Sequence, residues 1–281
     1  MAENLLDSWK LDQRFDFRGH AVRYKVSGQG SSPLVFVHGW PFSSFVWRRI
    51  AHFFEKAHRI YMYDLLAYGQ SEIPANEDTT LEVQSELLAA LYDHWGFGKD
   101  SAPDMVAHDI GGCTALRAHL LNGCEYRTLT LIDPVAVGPW GSPFVKHARL
   151  HLEAFAGMPE YIHKAIVEAY IGAATTLELR PEELSAYANP WLSKPGAAEF
   201  YRQIANLDQR YTDDIEDMYG DVRCPTQIVW GEDDKWIPIA DGRRLAEKIP
   251  NASFHPIPHA GHLVQADAPE AVVYAVANAV R

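Results

Sequence analysis

The chain has 281 residues, is 47% hydrophobic and 22% charged, and carries a net charge of −12 with its histidines neutral. This acidity and the lack of any Lys/Arg cluster argue against nucleic acid or an anionic membrane as partner, and no run approaches the roughly 20 apolar residues of a membrane span. Acids near the start, where a leader would be basic, and three scattered cysteines (Cys113, Cys124 and Cys224) that suit neither a disulfide framework nor a zinc site predict a reduced, cytoplasmic protein.

Taken in chain order, residues 15–17 and 22–26 read as an antiparallel pair with Gly19 in the turn. Residues 34–38, 58–64, 104–108, 127–133 and 226–231 are short continuous apolar runs, the mark of strands buried on both faces, and 253–257 reads as a last strand. Between them, 43–56, 79–95, 112–121, 239–249 and 269–280 carry apolar residues at helical spacing. This alternation predicts an α/β fold with an eight-stranded, mostly parallel sheet covered by helices. One stretch breaks the rhythm. From 134 to 218 there is no strand pattern, only helical segments at 145–155, 161–173, 181–187 and 197–207. It reads as a helical cap domain, 134–218, inserted after the sixth strand of a core domain formed by 1–133 and 219–281. Ligands in parallel α/β sheets bind beyond the carboxyl ends of the strands, so the cap is expected to cover the site.

Ala107-His108-Asp109-Ile110-Gly111-Gly112 joins an apolar strand to a helix. Small residues at 107, 111 and 112 suit a tight elbow that thrusts the side chain at its tip outward. Serine usually holds that tip in Gly-x-Ser-x-Gly, a motif absent from this chain; here the tip is Asp109. A serine must lose a proton before it attacks, which suits a carbonyl carbon. A carboxylate, with an ordinary pKa of about 3.9, is already ionised and suits an sp³ carbon bearing a leaving group, giving a covalent ester. The bland alternative is that Asp109 only caps the next helix.

The remaining catalytic positions follow from chain order. His262, in the loop after the last strand, is the expected base, with His259 a competing surface residue. The acid is either Asp234, after the penultimate strand, or Asp133, which ends the preceding one; Asp234 is preferred. Gly39 permits a turn that presents the Trp40 amide, and with the Ile110 amide this forms an expected oxyanion hole.

These motifs together resemble the α/β-hydrolase superfamily, and within it the branch of epoxide hydrolases and haloalkane or haloacetate dehalogenases. They are His-Gly-Trp-Pro at 38–41, Asp-Leu-Leu-Ala-Tyr-Gly-Gln-Ser at 64–71, His-Asp-Ile-Gly-Gly at 108–112, Gly-Glu-Asp-Asp at 231–234 and Gly-His-Leu-Val-Gln at 261–265. Ala67 stands where that branch usually has glycine. Ile110 and Trp40 replace the tryptophan and asparagine that hold halide in typical haloalkane dehalogenases. Ile110 and Cys113 replace the arginines of haloacetate dehalogenases, and Arg117 reads as solvated.

The resemblance implies an epoxide hydrolase acting on a small apolar electrophile and water, with no metal or organic cofactor. By similarity to a bacterial subgroup it implies that His151 and Tyr201 assist ring opening, with Tyr161, Tyr170 and Tyr187 as alternatives. Cap residues Phe144, Leu152, Phe155, Ile162, Ile166, Trp191 and Ile204 are expected to face inward. The rival readings are a dehalogenase whose halide donors are Trp40 and Trp140, and a non-catalytic small-molecule receptor.

Overall fold

Val35, Phe36 and Val37, and every residue of 104–108 and 128–132, are buried, so these runs have no solvent face and form the centre of a sheet covered on both sides. The structure, a computed structural model, describes residues 5–75 and 77–280. Its strands are β1 (Gln13–Phe17), β2 (His20–Ser27), β3 (Ser32–Val37), β4 (His58–Tyr63), β5 (Asp104–His108), β6 (Thr128–Ile132), β7 (Thr226–Gly231) and β8 (Ala252–Ile257). They form one eight-stranded sheet in the order β1-β2-β4-β3-β5-β6-β7-β8. β2 runs antiparallel to β1 and β4, and the other neighbours are parallel. β1 alternates in burial, as an edge strand with one wet face does.

The helix Leu81–His94 packs on the helix Ile110–Asn122, while Pro269–Ala279 lies on β6 and β7. The segment expected as a helix at 43–56 instead forms two 3₁₀ turns, Ser44–Arg49 and Ala51–Phe53. Side-chain bonds account for the difference. The Asp64 carboxylate accepts the Ser44 amide at 2.7 Å and the Ser43 hydroxyl accepts from Phe45, diverting donors that an α-helix would use. The tighter winding buries Ser44, Phe45, Val46 and Trp47 in succession.

Between β6 and β7 lie six helices: Pro143–Leu150, Leu152–Ala156, Glu160–Gly172, Pro181–Leu192, Lys194–Asn206 and Arg210–Glu216. The single helix expected over 145–155 is divided at His151, whose backbone (φ −131°, ψ 37°) is not helical. Buried polar contacts tie this layer to the sheet. The Trp191 indole donates to the Pro41 carbonyl at 2.6 Å, Tyr68 donates to Gln203 at 2.9 Å, and Glu183 accepts from Arg48 and Arg49. Burial pushes the Glu183 carboxyl up, but Arg180, Arg48 and Arg49 outweigh it and bring the pKa down to about 2. No helix among the described residues is long and apolar enough to cross a membrane.

Candidate active site

β5 ends at His108, and the chain turns at Asp109 (φ 53°, ψ −127°) directly into the helix Ile110–Asn122. A non-glycine residue held at positive φ costs on the order of 1–3 kcal/mol and persists only where its surroundings over-determine it. Here the Asp109 amide donates to the Ile132 carbonyl at 3.2 Å, and its own carbonyl accepts from Gly112 and Val135 at 2.9 and 3.0 Å. Gly111 makes the bend sterically possible, because a Cβ there would stand 2.3 Å from the His38 carbonyl oxygen. Gly39 performs the same service across the site: a Cβ would lie 2.4 Å from Asp109 Oδ2.

With that approach open, the Trp40 amide donates to Asp109 Oδ2 at 2.8 Å. The Ile110 amide opens the following helix, among the first N–H groups, which have no intrahelical acceptor. Asp109 Oδ1 lies 3.5 Å from His262 Nε2. His262 Nδ1 donates to Asp234 Oδ2 at 2.8 Å, since a carboxylate oxygen only accepts. Asp234 Oδ1 accepts two further backbone N–H groups, from Trp236 at 2.7 Å and Ile237 at 3.0 Å. Three residues from the ends of three strands therefore meet in one chain of contacts.

Burial lowers the tendency of His262 to hold a proton, but Asp234 and Asp109 outweigh it and leave its pKa well above the ordinary value. Its neighbour His108 is different. His108 Nε2 donates to the His262 carbonyl at 2.9 Å, and burial together with the His262 charge brings its pKa down to about 3. His108 is thus a neutral strut under the His262 backbone. His38 is also held neutral by burial, with Nδ1 donating to Gly39 O and Nε2 accepting from Leu65.

Asp133, the second acid candidate, is fully buried behind this group at φ 40°. Its Oδ1 accepts from the Gly231 amide at 2.9 Å and its Oδ2 has no hydrogen-bond partner among the described residues. Donor atoms of Asp133, Asp234 and His262 lie within 4.8 Å of one another, the one such metal-type cluster among the described residues. Burial and the nearby Asp234 carboxylate raise the Asp133 pKa well above the ordinary carboxylate value. Three N–H donors converge on Asp234 and one on Asp133, so the charge of the pair resides on Asp234.

Asp109 opens into a cavity of about 360 Å³ roofed by the connection after β6 and by the helices beyond it. Its walls include Val135, Val137, Trp140 and Leu207, with Tyr170 stacked on Trp236 at 4.2 Å. Trp236 in turn lies 4.7 Å from the His262 ring.

A sequence model of the alpha/beta hydrolase family matches residues 34–276. The chain belongs to the alpha/beta hydrolase family. A solved structure described as an alpha/beta hydrolase fold protein from Burkholderia ambifaria is 50% identical, with a TM-score of 0.92, over 96% of this chain and 98% of that one. The haloalkane dehalogenase DbeA from Bradyrhizobium elkani shares the fold, with a TM-score of 0.78 at 22% identity over 95% of this chain and 96% of that one. The dihydrolipoyllysine-residue acetyltransferase component of the acetoin cleaving system of Pseudomonas putida is 27% identical over 277 residues, 92% of this chain but 66% of that protein.

Within this hydrolase the structure brings Asp109, His262, Asp234, Trp40 and Ile110 together and leaves His151 and Tyr201 away from the cavity. His151 is exposed at the break between two helices. Tyr201 is buried, but its proton is committed. His163 Nε2 donates to the Trp191 carbonyl at 2.9 Å, so its Nδ1 must accept, and Tyr201 donates to it at 3.0 Å. Tyr161 is 73% exposed and Tyr187 bonds Arg48. Of the tyrosines considered, Tyr170 lines the cavity.

Other expectations are corrected in the same way. The Trp140 indole donates to Thr212 at 2.9 Å and is not free to hold a halide. Arg117 is buried rather than solvated and donates to the Tyr211 carbonyl at 2.7 Å. His259, by contrast, is exposed as expected of a surface residue, at φ 58°. None of the seven residues expected to face the site lines the cavity, whose roof comes instead from the irregular connection after β6, the helix Pro143–Leu150, Tyr170 and Leu207. Tyr170 had a signal: His163, Val167, Tyr170 and Ile171 are the buried stripe of their helix, at i, i+4, i+7 and i+8.

Proposed function

We propose that this hydrolase works through a covalent ester on Asp109 and that its substrates are small, mostly apolar epoxides. The observation that carries the reading is the Asp109 carboxylate held between the Trp40 amide and His262 Nε2 in the wall of an apolar cavity. On this reading residues 134–218 serve as a cap over a core of 1–133 and 219–281.

With Oδ2 engaged by Trp40, Oδ1 attacks a ring carbon in line; the C–O bond breaks and its electron pair goes to the epoxide oxygen. Tyr170 is the acid that fits this oxygen. Burial raises its pKa well above the ordinary value, so it stays a neutral donor, and its hydroxyl lies beside Ser142. The alkoxide takes the Tyr170 proton, which solvent restores. Esterification then removes the negative charge on Asp109 that helps hold a proton on His262, so His262 releases that proton to solvent and becomes available as a base. Water gives its proton to Nε2 and attacks the ester carbonyl carbon. The oxyanion sits where the Trp40 amide already points, with the Ile110 amide beside it. Collapse breaks the bond to the diol, which leaves with the proton from His262, and the new Asp109 carboxylic acid passes its proton to His262 to restore the starting state.

One observation favours a second reading. The Trp40 indole N–H is buried without a partner among the described residues, and a halide ion is an acceptor it could take. Mass spectrometry of the intact His262→Gln protein separates the readings. An epoxide adds its whole mass, whereas a haloalkane adds its mass less hydrogen halide. No adduct with either class, and no turnover by the parent protein, would remove the enzymatic proposal in favour of a receptor.

A further inference from the structure

The chain carries 37 acidic against 25 basic side chains, yet the cavity wall reverses that balance. Lys146, Arg149 and Lys235 line it, with Asp109 and Asp241 the two carboxylates. Asp109 belongs to the chemistry, and Asp241 is paired with Arg244 at 3.2 Å. The three cations are poorly neutralised. Lys146 and Lys235 have no carboxylate within 4.0 Å among the described residues, and Arg149 has only a loose contact of 3.8 Å with Asp208 between half-exposed side chains. They also converge. Lys146 and Arg149 are three residues apart on the helix Pro143–Leu150 and share a face, while Lys235 comes from the loop between Asp234 and Trp236. All three are exposed, so their stems lie along the wall and their charges face solvent at its rim.

From this, we infer that the hydrolase takes substrates with a carboxylate at the end remote from the reacting carbon, the apolar body filling the cavity and the anion resting among Lys146, Arg149 and Lys235. The inference rests on the reading of Asp109 as nucleophile and adds the substrate class. Low-dielectric walls focus a local positive potential at an entrance even where the whole molecule is negative. An apolar cavity alone offers a carboxylate nothing, and a strongly acidic protein repels it. The rim supplies the attraction at the mouth. Because the anion lies far from the bond that breaks, its interaction is the same in the ground and transition states, so it acts through KM and not through kcat.

The test uses ω-epoxy carboxylates of increasing chain length, each with its methyl ester, on the full-length protein. The acid is expected to exceed its ester in kcat/KM by about tenfold at low salt, through KM, with the preference shrinking as ionic strength rises. In the triple variant Lys146→Gln, Arg149→Gln, Lys235→Gln the acid loses its advantage and falls to the level of its ester. Equal handling of acid and ester by the parent, or equal loss of both in the variant, overturns the inference. Calorimetry with octanoate and with octanol examines the rim without any chemistry. Octanoate binding that is stronger than octanol binding, and that is lost in the variant, supports the rim even if no Asp109 adduct ever forms; that pattern would fault only the nucleophile reading. Octanoate binding no tighter than octanol sinks the rim itself.

Discussion

Replacing Asp133 with asparagine separates the two carboxylates behind His262. In the folded chain Asp133 keeps its proton, because it is fully buried beside Asp234 and accepts one hydrogen bond, from Gly231. In the unfolded chain it ionises near pH 3.9. The folded state therefore holds a proton that the unfolded state has released, and stability is lost as pH rises above the ordinary carboxylate range. The loss is about 1.4 kcal/mol for each pH unit over which Asp133 stays protonated. An asparagine keeps an oxygen for the Gly231 amide and places a neutral donor toward Asp234, but does not titrate. The expected result is equal stability of parent and variant near pH 4 and a gain for the variant at pH 7 of between about 1 and 4 kcal/mol. Urea unfolding at both pH values measures it, and the titration of His262, common to both proteins, cancels in the difference. Activity completes the test. Asp133→Asn retains turnover within about threefold, whereas Asp234→Asn, which removes the charge behind the His262 imidazole, loses on the order of 10³–10⁴. A variant gain that does not depend on pH, or an Asp133→Asn protein as inactive as Asp234→Asn, would refute this division of roles.

Three other perturbations probe separate links. Tyr170→Phe should slow formation of the Asp109 ester about 10²-fold and leave its hydrolysis unchanged, as quenched-flow mass spectrometry would resolve; equal slowing of both steps would exclude Tyr170 as the ring-opening acid. Ala67 sits at φ 74°, a left-handed conformation that costs a Cβ-bearing residue about 1 kcal/mol, so Ala67→Gly should gain about 0.5–1 kcal/mol and raise Tm by about 2 °C. A lower Tm would mean that the strain is not felt there. The His262 pKa, held up by Asp109 and Asp234, should fall once Asp109 is esterified. Hydrolysis of the trapped ester would then gain rate with rising pH through a midpoint below the His262 titration that NMR finds in the free enzyme, and a midpoint at or above it would contradict the electrostatic coupling.

The sheet was legible because its central strands are buried on both faces: Leu34–Val37 and Met105–Ala107 are unbroken apolar runs, and such runs read clearly. The elbow was legible for a related reason, since the small residues at 107, 111 and 112 mark it, and at Gly111 the His38 carbonyl comes within a Cβ's reach. Chain order put Asp109, Asp234 and His262 in candidate roles and preferred Asp234 to Asp133, but the number of N–H donors that reach each carboxylate shows only in the fold. The helical stretch between β6 and β7 was harder. Its helices follow apolar spacing, yet part of the cavity roof comes from the aperiodic connection after β6, which leaves no pattern to read. His151 and Tyr201 entered by resemblance, and what removes Tyr201 is a tautomer of His163 fixed by one backbone carbonyl. The 3₁₀ turns after Ser43 were invisible for the same reason: a carboxylate twenty residues away, on Asp64, decides them.

A single turnover in ¹⁸O-labelled water, with enzyme in excess over an epoxide, tests the nucleophile most directly. If Asp109 forms the ester and water then attacks its carbonyl carbon, the first diol carries no label and the peptide containing Asp109 gains one ¹⁸O. A labelled diol with an unlabelled Asp109 would mean that water attacked the substrate itself, and the covalent account would be wrong.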